Sequence, residues 1–364
     1  MEILVVVGTL SGLGGIETCV RMLAEEAEAV GDRVRILALS PSVLDAHWHD
    51  GLLYTEVANG PRSLKWQMIP GLPAVIGACR THRPDVVIAI YGSSIPLLRL
   101  SLFLARLRRP VMAWLHFSTA HKQRTSLLRF AHGHLCISSQ IATAVKETAG
   151  VDADRVHLVY NGVRIDSAAR LARSTGGPLR LLHAGRLMVG RQKRTDDLLR
   201  ALARVTGDWQ LVLVGKGESE DDVFQLQALA ERLGIADRLH WLGWQSDPWH
   251  AVGTVDLLVM CSAFEGFPMV LIEAMAHGIP CLSSDCPSGP TEIIQPDCNG
   301  WLYPVGDEDA LARRIRTLVD DRSLLPVADA VRASVAPFSS RKMYERIRQA
   351  IDITIERQGR GHAA

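Results

Sequence analysis

Two glutamates stand eight residues apart in the stretch CSAFEGFPMVLIEAMAHGIPCLSSDCPSGP, which runs from Cys261 to Pro290: Glu265 and Glu273. Between them Gly266, Phe267 and Pro268 break the backbone, and Met269 to His277 reads as an apolar helix. Pro268 marks its start, because proline's missing N–H costs nothing in a first helical turn. Gly278 stops the helix, and Ile279 to Ser283 reads as a buried strand. A helix N-terminus carries unpaired amides and the positive end of its dipole, so the amides of Met269 and Val270 would face a phosphate lodged there. Glu273 lies within roughly 8 Å of that start, at about 1.5 Å rise per residue. A carboxylate beside a phosphate is repulsive unless it accepts hydrogen bonds from hydroxyls. The pattern therefore points to a ligand carrying both phosphates and sugars. The other reading, two solvated glutamates on a surface helix, leaves Gly-Phe-Pro without a purpose.

Breaking a bond between sugar and phosphate requires the departing oxygens to be stabilised by cations or amides. LLHAGRLMVGRQKR supplies Arg186 and Lys193 just after a strand, at the edge where open α/β sheets bind ligands. Arg191 and Arg194 flank Lys193, so any of the three could meet a diphosphate; a solvated basic loop is the plainer alternative. His116 ends the strand MAWLHF, with His121 a second candidate, although a lone histidine can equally be a satisfied rim residue. Gly14 and Gly15 close the glycine-rich turn GTLSGLGG, which is not G-x-G-x-x-G and could serve only a tight strand-to-helix turn. Gly215 and Gly217 follow another strand in VGKG, and Trp244 and Gln245 follow a third in LGWQSDPW. Trp244 suits either base stacking or core packing. Asp152-Ala153-Asp154 spells D-x-D, a metal pattern, but it sits in a turn after Gly150 and reads as surface; no metal ligand is assigned. Asp307 to Asp309 open a helix and compensate its dipole.

These residues need strand ends to hold them. The chain of 364 residues is too long for one core and suits two domains of about 180 residues each. Ile3–Val7, Val34–Leu39, Val86–Ile90, Val111–Phe117, Leu135–Ser138 and Val156–Tyr160 read as strands separated by helical or mixed stretches, the first helix running from near Ile16 to Gly31. That alternation predicts a doubly wound α/β domain over 1–163. Residues 164–178, rich in Ala, Arg, Ser, Thr and Gly, read as a linker. A second alternation fills 179–338, with strands at Leu179–Ala184, Trp209–Val214, Leu239–Leu242, Leu257–Met260 and Pro280–Ser283 and a helix from about Arg194 to Val205. Ser339–Arg357 has a helical period.

Net charge of +1 gives no argument for nucleic acid. Seven cysteines without C-x-x-C or metal-ligand spacing read as reduced, buried thiols of a cytoplasmic protein. The acidic second residue is unlike a secretory signal, and no apolar run approaches the roughly 20 residues of a membrane span.

Glu265 and Glu273 in EGFPMVLIE, with the following EAMAHGIPC, resemble the E-x7-E motif of the retaining GT-B glycosyltransferases, in particular the large family four. The resemblance covers nearly the whole chain and is strongest from about Leu179 to Pro304. It implies a GT-B fold, two Rossmann-like domains facing across a cleft, with a C-terminal helix crossing back to the N-terminal, acceptor-binding domain. It implies that Glu265 holds the sugar's hydroxyls and Glu273 the ribose hydroxyls. Arg186 and Lys193 would face the diphosphate, Gly14 and Gly15 would approach it from the other domain, and His116 would lie near the transferred sugar. Gly215, Gly217, Trp244 and Gln245 lie where the family packs the nucleotide. Phrases such as LGWQSDPW, GIPCLSSDCPSGP and WLHFSTAHK bring the chain nearer to the family's lipopolysaccharide-core galactosyltransferases. This implies UDP-galactose as donor, a lipopolysaccharide core glucose as acceptor, and front-face displacement with retention and no metal. UDP-glucose or another nucleotide sugar on a different lipid-linked glycan, or a nucleotide-sugar-binding subunit without turnover, are the alternatives.

From Val86 to Val145 there is no Asp or Glu, while Arg99, Arg106, Arg108, Arg109, Lys122, Arg124 and Arg129 are all present. Apolar residues interleave with them in Leu97–Leu107, as in an interfacial helix. This predicts either reversible contact with an anionic membrane surface and an anionic lipid-linked acceptor, or an ordinary basic face over a buried apolar stripe.

Overall fold

In the computed structural model the described residues are 1–10, 14–42, 47–58, 68–116 and 125–360. His121, Lys122 and Arg124 lie outside them. The chain divides into two compact units, Met1–Gly162 with the segment from Ser340 onward, and Val163–Ser339.

The first unit contains β1 (Glu2–Val7), α1 (Gly15–Glu28), β2 (Arg33–Ala38), β3 (Leu53–Glu56), α2 (Met68–His82), β4 (Val86–Ala89), α3 (Ile95–Leu104), β5 (Val111–Leu115), β6 (Gly133–Cys136), α4 (Ser139–Ala149) and β7 (Val156–Leu158). Its strands are parallel in the order β3-β2-β1-β4-β5-β6-β7. Apolar runs such as Ile3–Val7 are fully buried because helices cover a parallel sheet on both faces. Helix α1 turns Cys19, Val20, Leu23 and Ala27 inward. Ser138 caps α4 by accepting from the Ile141 amide at 3.3 Å, and Gly150 ends that helix in the left-handed region.

The second unit runs β8 (Leu179–Ala184), α5 (Thr195–Leu202), β9 (Trp209–Val214), α6 (Glu220–Arg232), β10 (Leu239–Gly243), α7 (Pro248–Val252), β11 (Leu257–Met260), α8 (Met269–Ala276), β12 (Cys281–Ser284), α9 (Pro290–Ile293), β13 (Gly300–Tyr303), α10 (Glu308–Asp320) and α11 (Ala328–Ser334). The parallel order is β10-β9-β8-β11-β12-β13. Its switch point therefore lies between β8 and β11, where an open sheet leaves a crevice at its carboxyl edge. The last helix, α12 (Ser340–Arg360), belongs to the first unit and packs against α1.

The expected linker at 164–178 is instead a clamped part of the second unit. Arg332 donates to the carbonyls of Ala168 and Ile165 at 2.6 and 2.7 Å. Arg173 donates to those of Pro326 and Gly278 at 2.5 and 2.7 Å. Polar bonds rather than apolar burial hold this stretch, which is why it shows no hydrophobic period. Strands β3 and β13 carry no expectation from the sequence: β3 is a largely exposed edge, and β13 is a four-residue strand following a turn. Among the described residues no helix is long and apolar enough to cross a membrane. The seven cysteines are free thiols, six of them buried.

Asp256 is the keystone of the clamp. Its buried carboxylate accepts from the amides of Ser174 at 2.7 Å and Arg180 at 2.8 Å, and from the Ser174 hydroxyl. Asp256→Ala removes a buried carboxylate that three donors share and leaves two backbone amides without their acceptor; it should cost about 3 kcal/mol, lowering the thermal midpoint of this unit by roughly 6–12 °C in calorimetry.

Candidate active site

The carboxyl ends of β8, β9, β10 and β11 collect Arg186, Gly215 with Gly217, Trp244 with Gln245, and Glu265 respectively, all in the second unit. Close approach of the backbones starts the arrangement. Gly215 has φ +134°, and a Cβ there would lie 1.8 Å from the Gly185 carbonyl oxygen, so only glycine lets the turns after β8 and β9 meet. Gly217 is held to glycine by the Ser219 carbonyl in the same way, at 2.3 Å. Both glycines have this packing reason already in the ligand-free protein.

The loop 190–194 after β8 carries the cations. Gly190, Arg191 and Arg194 all take left-handed φ values, a costly bend for the two arginines. Carboxylates offset it: Asp196 accepts from the Gly190 amide at 2.6 Å, Asp197 from Arg194 at 2.5 Å, and Asp222 from Arg191. The loop is strapped to the turn after β11 by the Ala263 amide on the Gln192 carbonyl (2.7 Å) and by Gln192 Nε2 on that of Phe264 (3.1 Å). Lys193 is thereby delivered to Glu265, with Nζ 2.7 Å from Oε1. The flanking arginines turn elsewhere, Arg194 to Asp197 and Arg191 to Glu218 and Asp222.

Glu265 is only 8 % exposed. Oε1 also accepts from the Ser262 hydroxyl at 2.6 Å, while Oε2 has no hydrogen-bond partner among the described residues. Arg186 lies half-exposed, donating to Glu218 at 2.5 Å and to Gln192 Oε1 at 2.5 Å. Phe267 is buried with its ring 5.5 Å from Phe338, and Gly289, at φ +108°, would place a Cβ 2.4 Å from Pro268 Cδ. Phe267 and Pro268 thus brace the turn through Gly266. Helix α8 then begins at Met269, with Pro268 as its N-cap rather than its first residue, and the Leu271 amide is bonded to the Pro268 carbonyl. Four residues on, the Glu273 carboxyl is half-buried without a hydrogen bond among the described residues, and burial pushes it up to about 7. Trp244 is 47 % exposed, so its ring is not core. Gln245 turns back onto the Leu242 carbonyl at 2.8 Å.

In the first unit, Gly14 is the N-cap of α1 and Gly15 its first residue, at the carboxyl end of β1. His116 follows β5 at the same edge, 7 % exposed, its ring 4.6 Å from that of Trp114. Its Nε2 is buried without a partner among the described residues, and burial lowers its pKa to about 3, so it stays neutral. Asp152 and Asp154 lie on an exposed turn and pair with Arg357 at 4.0 and 3.1 Å.

Cations and carboxylates gathered beside a sheet's switch point suit a nucleotide-sugar chemistry, and the relatives agree. Residues 13–167 match Glycosyltransferase Family 4, and residues 172–332 match Glycosyl transferases group 1. The chain is 31% identical to lipopolysaccharide 1,6-galactosyltransferase of Escherichia coli over 98% of its own length and 100% of the relative's. It belongs to the family 4 glycosyltransferases. Among solved structures, the apo form of the lipopolysaccharide outer core galactosyltransferase WaaB superposes on the glycosyltransferase with TM-score 0.82 and 30% identity, covering 97% of this chain and 99% of that one. HepE of Anabaena gives TM-score 0.81 at 24% identity, with 97% and 99% covered. The fold is GT-B, built of two Rossmann-like domains.

Sequence reading missed Ser262, Gln192, Glu218 and the carboxylates Asp196, Asp197 and Asp222 that shape the cation loop. Asp222 was within reach, because Ser219-x-x-Asp222 is a capping box, with the Asp222 carboxylate accepting from the Ser219 amide at 3.1 Å. A buried Glu17 in the first turn of α1 also went unremarked; its charge, after burial itself, helps raise the Tyr91 hydroxyl pKa.

Burying Glu273 without a partner has a cost that depends on pH. Its folded pKa of about 7 stands above the ordinary 4.5, so the folded glycosyltransferase binds this proton more tightly than the unfolded chain. The relative stabilisation is complete below about pH 4.5 and is lost as pH rises through about 7. Glu273→Gln should therefore stabilise the ligand-free protein by about 1–3 kcal/mol at pH 8 and by little at pH 5, read as the gap between urea midpoints at the two pH values.

Proposed function

We propose that this glycosyltransferase moves galactose from UDP-galactose to a glucose of the lipopolysaccharide core, in alpha-1,6 linkage with retention and without a metal. The likeness that carries this reading is the one to the galactosyltransferase of Escherichia coli, which runs the length of both chains.

In this reading Lys193 and Arg186 meet the diphosphate, giving up part of their hold on Glu265 and Glu218 as the more highly charged group enters. The N-terminus of α8 adds amides aimed at the same oxygens. Two cations and a helix terminus supply the charge that a metal would otherwise supply to the leaving group. Oε2 of Glu265, left without a partner, receives the transferred sugar's hydroxyls, and Glu273 receives those of the ribose. Gly14 and Gly15 approach the diphosphate from the first domain. The exposed Trp244 ring offers a face to the base, beside Gln245. Neutral His116 can hold a sugar hydroxyl without adding a second positive charge near the anomeric carbon. Displacement from the front face lets a leaving phosphate oxygen take the acceptor's proton, so no separate general base is required.

Peripheral contact with the cytoplasmic face of the inner membrane completes the proposal. Helix α3 buries Leu97, Leu98 and Leu102 but exposes Leu100, Phe103 and Leu104, beside Arg99, Arg106 and Arg108. Exposed apolar side chains among arginines suit an anionic lipid surface. Phe103→Ser should release the protein from anionic vesicles in sedimentation, as should added salt.

A donor panel tests the chemistry. Purified protein with UDP-galactose, UDP-glucose and other nucleotide sugars, on lipopolysaccharide lacking the galactose, should transfer galactose with EDTA present and give an alpha linkage by NMR. Glu265→Ala and Lys193→Ala should each lower kcat/KM by at least about 100-fold. Hydroxyl donors favour the ionised carboxylate, so donor affinity should rise about tenfold from pH 6 to pH 8 through Glu273, and lose that slope in Glu273→Gln. Preference for another donor, loss of turnover in EDTA, or nucleotide binding without transfer to any acceptor would each overturn the corresponding part.

A further inference from the structure

The carboxyl edge of the first sheet holds a second feature, away from His116. A cavity of about 360 Å³ is lined by Pro41 and Ser42, which follow β2, by His49, and by Tyr54, Thr55 and Glu56 of β3, within the size range of small-ligand pockets. Its wall is aromatic. The His49 and Tyr54 rings stack face to face at 3.7 Å, nearly parallel at 5°, and Trp48 packs edge-on to both at 5.6 Å. This wall is built and held. Arg21 of α1 donates to the carbonyls of Trp48 at 3.0 Å and Asp50 at 3.1 Å, fixing the turn, and Trp48 Nε1 donates to Ser42 Oγ at 2.7 Å. Tyr54 donates its hydroxyl to Glu56 Oε2 at 2.8 Å, which orients the carboxylate.

Core packing accounts for Trp48, which is buried, but not for the whole group. His49 and Tyr54 are only partly buried, and β3 is an exposed edge strand that nothing obliges to carry a tyrosine and a carboxylate side by side. A stacked ring wall beside hydroxyls and a carboxylate complements a pyranose, whose C–H face is apolar and whose rim is hydroxyls. The carboxylate selects further: Glu56 would repel a phosphate or a uronic acid and accept hydroxyl protons from an uncharged ring.

We propose that this cavity is a saccharide subsite that holds a neutral hexose of the acceptor glycan, seating it against an outer face of the His49–Tyr54 stack with Glu56 as hydroxyl acceptor. The proposal rests on the acceptor being a glycan, and its tests are separable from that reading. Glu56→Gln changes an exposed side chain and should raise KM for the acceptor about tenfold, as expected for loss of a charged hydrogen-bond acceptor, with KM for the donor unmoved. His49→Ala should do the same through the lost stack. Independently of turnover, methyl hexosides should show saturation transfer in NMR with the full-length protein, reduced in His49→Ala and Glu56→Gln. Should lipopolysaccharide prove not to be the acceptor, that hexoside signal and its loss in the two variants would still uphold the subsite. An unchanged acceptor KM in both variants, a matching rise in donor KM, or no saturation transfer from any neutral hexoside would overturn it.

Discussion

A lysine and a buried glutamate 2.7 Å apart are the constraint on which the second domain's site depends. Taken alone, the Glu265 carboxylate would be a charge stranded at 8 % exposure, an arrangement that costs several kcal/mol. Lys193 and Ser262 neutralise and hold it through one oxygen, which leaves the other without a hydrogen-bond partner among the described residues. The lysine reaches it from a loop bent through left-handed residues, and that loop keeps its shape because three aspartates oppose the strain and two hydrogen bonds of Gln192, one through its backbone and one through its side chain, tie it to the turn after β11. Seen from the pair outward, Asp196, Asp197, Asp222 and Gln192 bind no ligand in the proposed reading. They fix the distance at which a ligand would find both charges.

The same economy governs the strand ends. Gly215 permits a carbonyl of the neighbouring turn to sit where a side chain would otherwise be, and Gly289 does so against Pro268. The first approach joins the turns after β8 and β9, and the second joins the turn after β12 to the loop after β11, one on each side of the switch point. Sheet order sets the crevice, the glycines narrow it, and the charged side chains fill what space remains.

Most of the fold was legible because buried parallel strands advertise themselves as apolar runs. Leu179–Ala184 and Leu257–Met260 are strands at the bounds their sequence indicates. What escaped lacked that signal. β3 offers Leu-Tyr-Thr-Glu on an exposed edge, where one-sided burial asks little of composition, and residues 164–178 are held by arginine-to-carbonyl bonds that leave no periodic trace. In the site, E-x7-E and the basic loop were visible as motifs. Which of Arg191, Lys193 and Arg194 turns toward Glu265 was not, since that choice is made by backbone φ values and by carboxylates as distant in sequence as Asp222.

Glu273 shows how function departs from what stability alone would select. Its helix is otherwise apolar, and a leucine or glutamine would sit there at lower cost than a half-buried carboxyl pushed up to about 7 by desolvation. In the proposed reading the ligand's ribose hydroxyls donate hydrogen bonds to the ionised form and so recover that desolvation energy on binding. Glu265 takes the opposite course, with a permanent cation beside it and one oxygen in reserve. The two glutamates of one motif are therefore unlike in kind. One is held by a lysine and a serine hydroxyl, and in the proposed reading the other gains its full charge as its ligand arrives, which would couple recognition of hydroxyls to release of a proton.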